Sequence, residues 1–509
     1  MSLRIGEKRL SCEDVHRVAR HGETVELAEA ARKRIAHCRE FVERKVRERA
    51  VMYGITTGIG ELSETILTPE QTERFQRFLV YSHAAGYGDP LEVPDARSAI
   101  LSRISVLSQG HSGIRPVLVD TMIELLNRGV TPVMCEKGSV GACGDLSPMS
   151  QFALVLIGEG EAFFKGRRLP AKVALDEAGI PVQRFEARDG LASINGSNCI
   201  SGMGAVEIVD ALQWLRHCDI ATAMTLEVVN ANMLAYDDRV HRLRGFSGAI
   251  EVAANVRKIT GGSEMLRQKG KKVQDAYSLR STPQVAGAAR EALQYARSQI
   301  ETELNGVGDN PLFFPDDDGG TILTGANFQG TPMALGLETL GTAVTTVCVL
   351  SERRLNRLLN RNLSCGLPAF LTKGAGMFSG MMLAQYTAGA LCCESRILSH
   401  PAATGSIPSA ADQEDFVSMG MTTTLKTKQI LKNAQAVLGI EMMAAAQAMD
   451  FRRPLRAGAG VEAAYETIRK QVAFLDEDRP LHEDINRMAA LVESGEILRA
   501  VEAAVGTIA

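Results

Sequence analysis

Residues 138–148 read Gly138-Ser139-Val140-Gly141-Ala142-Cys143-Gly144-Asp145-Leu146-Ser147-Pro148, and seven of these eleven are Gly, Ala, Ser or Cys. Such a run buries little apolar surface and loses much backbone freedom when it is ordered, so something other than stability must favour it. Its small side chains let backbone atoms approach one another closely. Ser147 followed by Pro148 has the form of a helix N-cap with Pro at the first helical position. The residues after it, Met149 to Leu156, repeat apolar side chains at helical spacing.

Outward from this bend the pattern is overwhelmingly helical. Ala96–Gln109, Arg115–Asn127, Ser201–Ala235, Pro283–Asn305, Pro332–Leu359 and Met381–Leu398 all carry the helical period. Residues 1–50 alternate short strand-like and helical patterns and end in a charged helix from about Val25 to Arg47; the Gly/Thr-rich loop Tyr53 to Thr65 follows. Strand signals are few, and Phe163 to Leu169 reads as a hairpin turning at Lys165-Gly166. No Pro/Ser-rich linker divides the chain, and the basic loop Arg267 to Lys272 reads as a solvated crossing between helices. The expectation is a mainly α protein, a large bundle of long helices (residues 111–509) with a smaller α+β N-terminal portion (1–110) that carries the Tyr53 loop. Its long apolar helices are too many to bury in one subunit, which predicts a homo-oligomer.

With 509 residues and 45% apolar composition the chain can build a sizeable core. Its 56 basic and 60 acidic residues nearly balance, giving no electrostatic reason to expect nucleic acid or an anionic membrane as partner. None of the ten cysteines forms a CxxC pair or a zinc-type Cys/His set, so no metal is expected, and reduced thiols point to the cytoplasm. The N-terminus lacks an apolar stretch of signal-peptide length, and the apolar segment from Met333 to Leu350 carries Glu338 and reads as a core helix rather than a membrane span.

The 138–148 segment resembles the signature GS-x-GASGDL-x-P of the histidine, phenylalanine and tyrosine ammonia-lyases, the aromatic amino acid lyase family. In that family Ala-Ser-Gly cyclises to a methylidene-imidazolone whose exposed methylidene carbon is an electrophile; here the tripeptide is Ala142-Cys143-Gly144. Further blocks follow in family order. Tyr53-Gly-Ile-Thr-Thr-Gly58 resembles YGINTG, Ser82-His83-Ala-Ala-Gly86 matches SHAAG, Asn195-Gly-Ser matches NGT/S, and Gln274 to Arg280 resembles QDPYSLR. Asp309-Asn-Pro311, Gly325 to Gln329, Ser351 to Arg354, Leu398 to Pro401 and Gln413 to Met419 are similar to DNP, GGNFH, SERR, LSHP and QEDHVSM. Departures fall at Thr56, Ile59, Cys143, Ala276, Ala326, Gln329 and Phe416.

The resemblance implies a fumarase/aspartase-like helical architecture, a homotetramer with each pocket lined by loops from more than one subunit, and elimination of an α-amino group. Tyr53 corresponds to the family's base; a phenol ionising near pH ~10 needs a positive local field to serve near neutrality. Arg280 corresponds to the substrate-carboxylate clamp, Asn195 and Tyr277 to residues that position ring and substrate, and Gln274 and Phe328 to pocket residues. His83 and Glu414 mark the histidine branch, since an imidazole or a carboxylate can hydrogen-bond an imidazole side chain. The helix expected from Pro148 should aim its positive N-terminus at the tripeptide.

The leading reading is therefore a lyase acting on histidine or a histidine-like amino acid to give a urocanate-type acrylate, with a self-formed 4-methylidene-imidazol-5-one as cofactor. Cysteine carries a leaving group on its β carbon as serine does, so loss of hydrogen sulfide yields the same ring. Were Cys143 to stay a thiol, a substrate with a better leaving group, such as the trimethylammonium compound ergothioneine, would need no electrophile. An aminomutase and a non-catalytic helical homologue are the remaining alternatives.

Overall fold

The computed structural model describes residues 2–316 and 319–509, and they fold as helices with a few short strands. The periodic segments of the sequence are helices at nearly the expected bounds: Val93–Ser108, Pro116–Arg128, Asn198–Val228, Thr282–Leu304, Thr331–Leu359 and Met382–Leu398. The longest helix, Gly420–Arg452, is not among those segments. From Leu438 to Met449 every residue is buried, so no one apolar face stands out in its sequence. Thr331–Leu359 is long and apolar enough to cross a membrane by length and composition, and most of its apolar window is buried inside the protein.

The chain divides into two compact units. The first comprises Met1–Val209, Ala296–Glu338 and Pro401–Leu425. At its centre Val93–Ser108 is buried on every side from Asp95 onward. Around it lie small sheets: Leu3–Ile5 pairs in parallel with Val25–Leu27, Tyr87–Pro90 pairs with Cys135–Lys137, and Glu161–Phe164 lies between Thr131–Pro132 and Arg167–Pro170. The hairpin turns at Lys165 and Gly166, both with positive φ, as a tight two-residue turn requires. Val25 does not begin a helix. Val25–Leu27 is taken by its partner strand, and the helix starts at Glu29.

Asp309 organises this unit. Its carboxylate lies between the guanidinium groups of Arg103 (2.8 Å) and Arg188 (2.7 Å), all three fully inaccessible. Arg103 also donates to the carbonyls of Ala192 and Asn195. One carboxylate thus serves two guanidiniums, whose other donors are taken by backbone carbonyls, so that buried charges persist only because they are paired and hydrogen-bonded.

The second unit comprises Asp210–Tyr295, Thr339–His400 and Lys426–Ala509. It ends in three packed helices, Ala459–Gln471, His482–Ser494 and Glu496–Val505. Its interior ion pairs include Arg290 with Asp219 (2.6 Å), and Arg354 with Glu441, bidentate at 2.6 and 2.7 Å, where Ser351 and Thr225 donate hydroxyls to the same carboxylate. The Ser-Glu-Arg-Arg block is thus a structural buttress.

Candidate active site

The 138–148 bend is shaped by glycines that no other residue can replace. Gly144 has φ +78°, and a Cβ there would sit 2.1 Å from the carbonyl carbon of Gly196. Gly141 has φ +76°, and its Cβ would meet the Ser418 hydroxyl at 2.1 Å. The bend is stitched down from both sides. Gly196 N–H donates to the Cys143 carbonyl (3.1 Å), Asp145 N–H to the Gly196 carbonyl (3.0 Å), and Met419 N–H to the Val140 carbonyl (2.9 Å). These bonds place the Ala142-Cys143-Gly144 backbone before any side chain is considered.

Asp145 is buried, and its carboxylate accepts from the Ser139 hydroxyl (3.0 Å) and from Ile200 N–H in the first turn of Asn198–Val228 (3.1 Å). Burial pushes its pKa up to about 6, against the pull of these donors. The helix after the bend begins at Leu146, not at Pro148, with Asp145 as N-cap residue. Ser147 is already inside the helix, because Asp145 takes the non-helical N-cap position (φ −103°, ψ 52°) while committing its side chain to the neighbouring helix. The expected direction holds: Leu146 and Ser147, the first helical residues, line the same cavity as Cys143.

That cavity, about 470 Å³, lies within the first unit and brings together Tyr53, His83, Ala142, Cys143, Gly144, Asn195 and Glu414. Tyr53 is held in its loop by Gly60 N–H donating to its hydroxyl (2.9 Å). Gln76, fully buried, braces that loop by donating to the Gly54 carbonyl (2.9 Å) while accepting Leu191 N–H (3.0 Å). Thr56 hydrogen-bonds Ala50 and Met52 of its own loop (2.8 Å each), so its role is to shape the turn. Burial raises the Tyr53 pKa; the Gly60 N–H opposes this, and the nearby negative forms of Cys143 and Glu414 reinforce it. The charge of Arg188 lowers it, but burial prevails and the pKa stays raised.

His83 Nδ1 lies 2.8 Å from the Leu79 carbonyl oxygen, which can only accept, so Nδ1 carries the proton and Nε2 of the neutral ring is an acceptor. Cys143 Sγ donates to Glu414 Oε1 at 3.0 Å, and burial with the adjacent carboxylate holds the thiol protonated. Asn195 Oδ1 is buried and has no hydrogen-bond partner among the described residues, an unmet acceptor at the cavity wall costing about 1–3 kcal/mol if left so.

Four expected site residues lie elsewhere. Phe328 is half-buried beyond the cavity lining, its carbonyl accepting the Ser197 hydroxyl (2.7 Å). Gln274, Tyr277 and Arg280 belong to the second unit, where they line their own cavity of about 530 Å³. There the Arg280 guanidinium lies 4.6 Å from the Tyr277 ring centroid, and its Nε has no hydrogen-bond partner among the described residues. Tyr277 is 72% exposed and Val273 93%. The bracing residues Gln76, Arg103 and Asp145 were not identified from sequence. A polar residue in a helical pattern gives no sign of burial, and only the placement of Asp145 inside the signature hinted at its importance.

Residues 10–470 match the family model of aromatic amino acid lyases. A histidine ammonia-lyase of Alkaliphilus oremlandii is 45% identical over 504 residues, covering 99% of both chains. Among solved structures, tyrosine aminomutase from Streptomyces globisporus superposes with a TM-score of 0.95 at 35% identity over 100% of this chain and 99% of that one. Histidine ammonia-lyase from Trypanosoma cruzi does so with a TM-score of 0.92 at 35% identity, over 99% and 96%. Similarity of this depth along the whole length means that the chain belongs to the aromatic amino acid lyase family.

Proposed function

We propose that this protein is a carbon–nitrogen lyase that eliminates ammonia from histidine to give a urocanate-type acrylate. The observation that carries the reading is the convergence of the Ala142-Cys143-Gly144 bend with Tyr53, His83 and Glu414 on one cavity. We propose further that this tripeptide matures to a methylidene-imidazolone. The residues present fit that group: Gly144 sits where only glycine is admitted, the Cys143 carbonyl is held by Gly196 N–H, and the unmet Asn195 Oδ1 faces the site. Once formed, the ring would supply an electrophilic carbon able to bond the substrate and ease departure of ammonia.

The chain's own residues divide the remaining work. The Nε2 lone pair of His83 accepts an N–H of the substrate imidazole, which selects a side chain with a polar hydrogen over a phenyl ring. Tyr53 Oη removes the β proton, and Gly60 N–H steadies the resulting phenolate. Leu146 N–H and Ser147 N–H, at an open helix end, lower the energy of negative charge developing beside them.

A substrate carboxylate needs a cation, and no arginine or lysine lines this cavity. We propose that Arg280 of a second copy provides it, with Tyr277 beside it, in a homotetramer. The exposure of Tyr277 and Val273, and the Arg280 Nε left without a hydrogen-bond partner among the described residues, support this. The same cation would lower the Tyr53 pKa from its raised single-chain position. All ten cysteines are free thiols, in keeping with work in the cytoplasm.

The test is incubation with histidine, tyrosine and ergothioneine, reading ultraviolet absorbance, released amine and product. The proposal expects an acrylate chromophore with an equivalent of ammonia from histidine. A β-amino acid product would assign an aminomutase, and trimethylamine release from ergothioneine alone would assign ring-free elimination; either overturns the proposal.

A further inference from the structure

Glu414 is held against Cys143 by the loop Ser409–Glu414, and its partner there is the sulfur of the tripeptide. Sγ donates to Oε1 at 3.0 Å, and the Ser409 hydroxyl lies 3.4 Å from Oε2. Ser409 and Glu414 close the loop with reciprocal backbone bonds of 2.9 and 3.2 Å. Between them Ala410, Ala411 and Asp412 all have positive φ (51°, 53° and 65°). For non-glycine residues this conformation is strained, and runs of strained backbone persist where the surroundings fix a functional group. Cys143 is only 9% exposed, so a carboxylate in van der Waals range of it has few competitors for its protons.

Resting on the ring-forming reading above, we infer that Glu414 is the proton carrier for the maturation of Cys143, a role separate from any contact with substrate. The atoms balance as follows. The Gly144 nitrogen bonds to the Ala142 carbonyl carbon, and that oxygen leaves as water with the amide hydrogens of Gly144 and Cys143. The Cα proton of Cys143 passes to the Glu414 carboxylate, the Cβ–Sγ electron pair departs with sulfur, and a Cα–Cβ double bond forms. Glu414 then returns the proton to the departing hydrosulfide, which leaves as hydrogen sulfide. Nothing is oxidised or reduced, and Glu414 ends as it began. Sγ is two bonds from Cα, so a carboxylate hydrogen-bonded to Sγ stands within reach of both ends of this transfer.

The experiment compares the full-length protein with Glu414→Gln and Glu414→Asp. Each is purified promptly after expression and followed over time by intact mass, by peptide mass across residues 138–148 and by sulfide release; circular dichroism verifies folding. The expected result is progressive loss of one water and one hydrogen sulfide from the parent, at least tenfold slower loss from Glu414→Gln, and partial recovery of the rate in Glu414→Asp. A merely structural role would leave the maturation rate of folded Glu414→Gln unchanged, and that result overturns the inference. A parent protein that keeps its thiol indefinitely overturns the ring-forming reading itself, and this inference with it. A mature Glu414→Gln protein with impaired turnover overturns only the maturation role.

Discussion

The two cavities of this chain are opposites in chemistry. The one in the first unit holds a phenol, an imidazole, a thiol and a carboxylate, with no arginine or lysine in its lining. The one in the second unit holds Arg280, its Nε buried and unpartnered among the described residues, beside an exposed Tyr277. Each lacks what the other displays. In the first, burial outweighs the pull of the Arg188 charge and keeps Tyr53 protonated; the second has the guanidinium of Arg280 but no imidazole or thiol. On the proposal of a site shared between copies, each half carries unpaired chemistry: an unmet acceptor at Asn195 on one side, an unmet donor at Arg280 on the other.

Substitutions can break this contrast one side at a time. Cys143→Ala removes the leaving group of the first cavity; the proposal expects turnover to fall by at least ~10³-fold and the water-plus-sulfide mass loss to vanish, both read on the same preparation. Retained turnover would remove Cys143 from the chemistry. Asp309→Asn strips the frame behind that cavity. It leaves the buried Arg103 and Arg188 without their counter-charge, a loss of about 3–5 kcal/mol in denaturant unfolding.

On the second side, Arg280→Lys keeps the charge and loses the planar two-point clamp. The expected cost is about 1.5–3 kcal/mol in kcat/KM, carried mostly by KM, with the Cys143 mass loss untouched. The smallest effect sharpens the comparison of the two interiors. Glu227, in the second unit, accepts Gly458 N–H on both oxygens at 3.0 Å, and burial pushes its pKa up to about 8. A carboxyl with a raised folded-state pKa contributes stability that is complete below its unfolded pKa and is lost as pH rises through the folded value. Unfolding free energy should therefore decline between pH 5 and pH 9, and Glu227→Gln should flatten that decline by about 1–2 kcal/mol. An unchanged slope would mean that Glu227 is ionised throughout.

Much of this was legible in the sequence, for physical reasons that also set its limits. Helices with one apolar face, such as Pro116–Arg128, announced themselves by period. Gly420–Arg452 did not, because burial on all sides erases the period. The bend at 138–148 was readable because only glycine fits where Gly141 and Gly144 touch their neighbours. The helix start there was misplaced by two residues. Ser147-Pro148 imitates a cap, whereas the real N-cap residue, Asp145, spends its side chain on the adjacent helix. Family resemblance named Tyr53, His83, Asn195 and Glu414, all found on one cavity. It could not reveal Gln76 or Arg103, whose work is to brace backbone carbonyls that only the folded chain brings near.

The central claim is that the two cavities are halves of one site contributed by different copies. Co-expression of Tyr53→Phe with Arg280→Ala, each inactive alone, tests it most directly. The account predicts that mixed oligomers regain histidine-dependent ammonia release, because some sites pair an intact Tyr53 with an intact Arg280. The doubly substituted chain, co-expressed with either single variant, should not regain it. Mixed oligomers that stay as inactive as the separate variants would contradict the account.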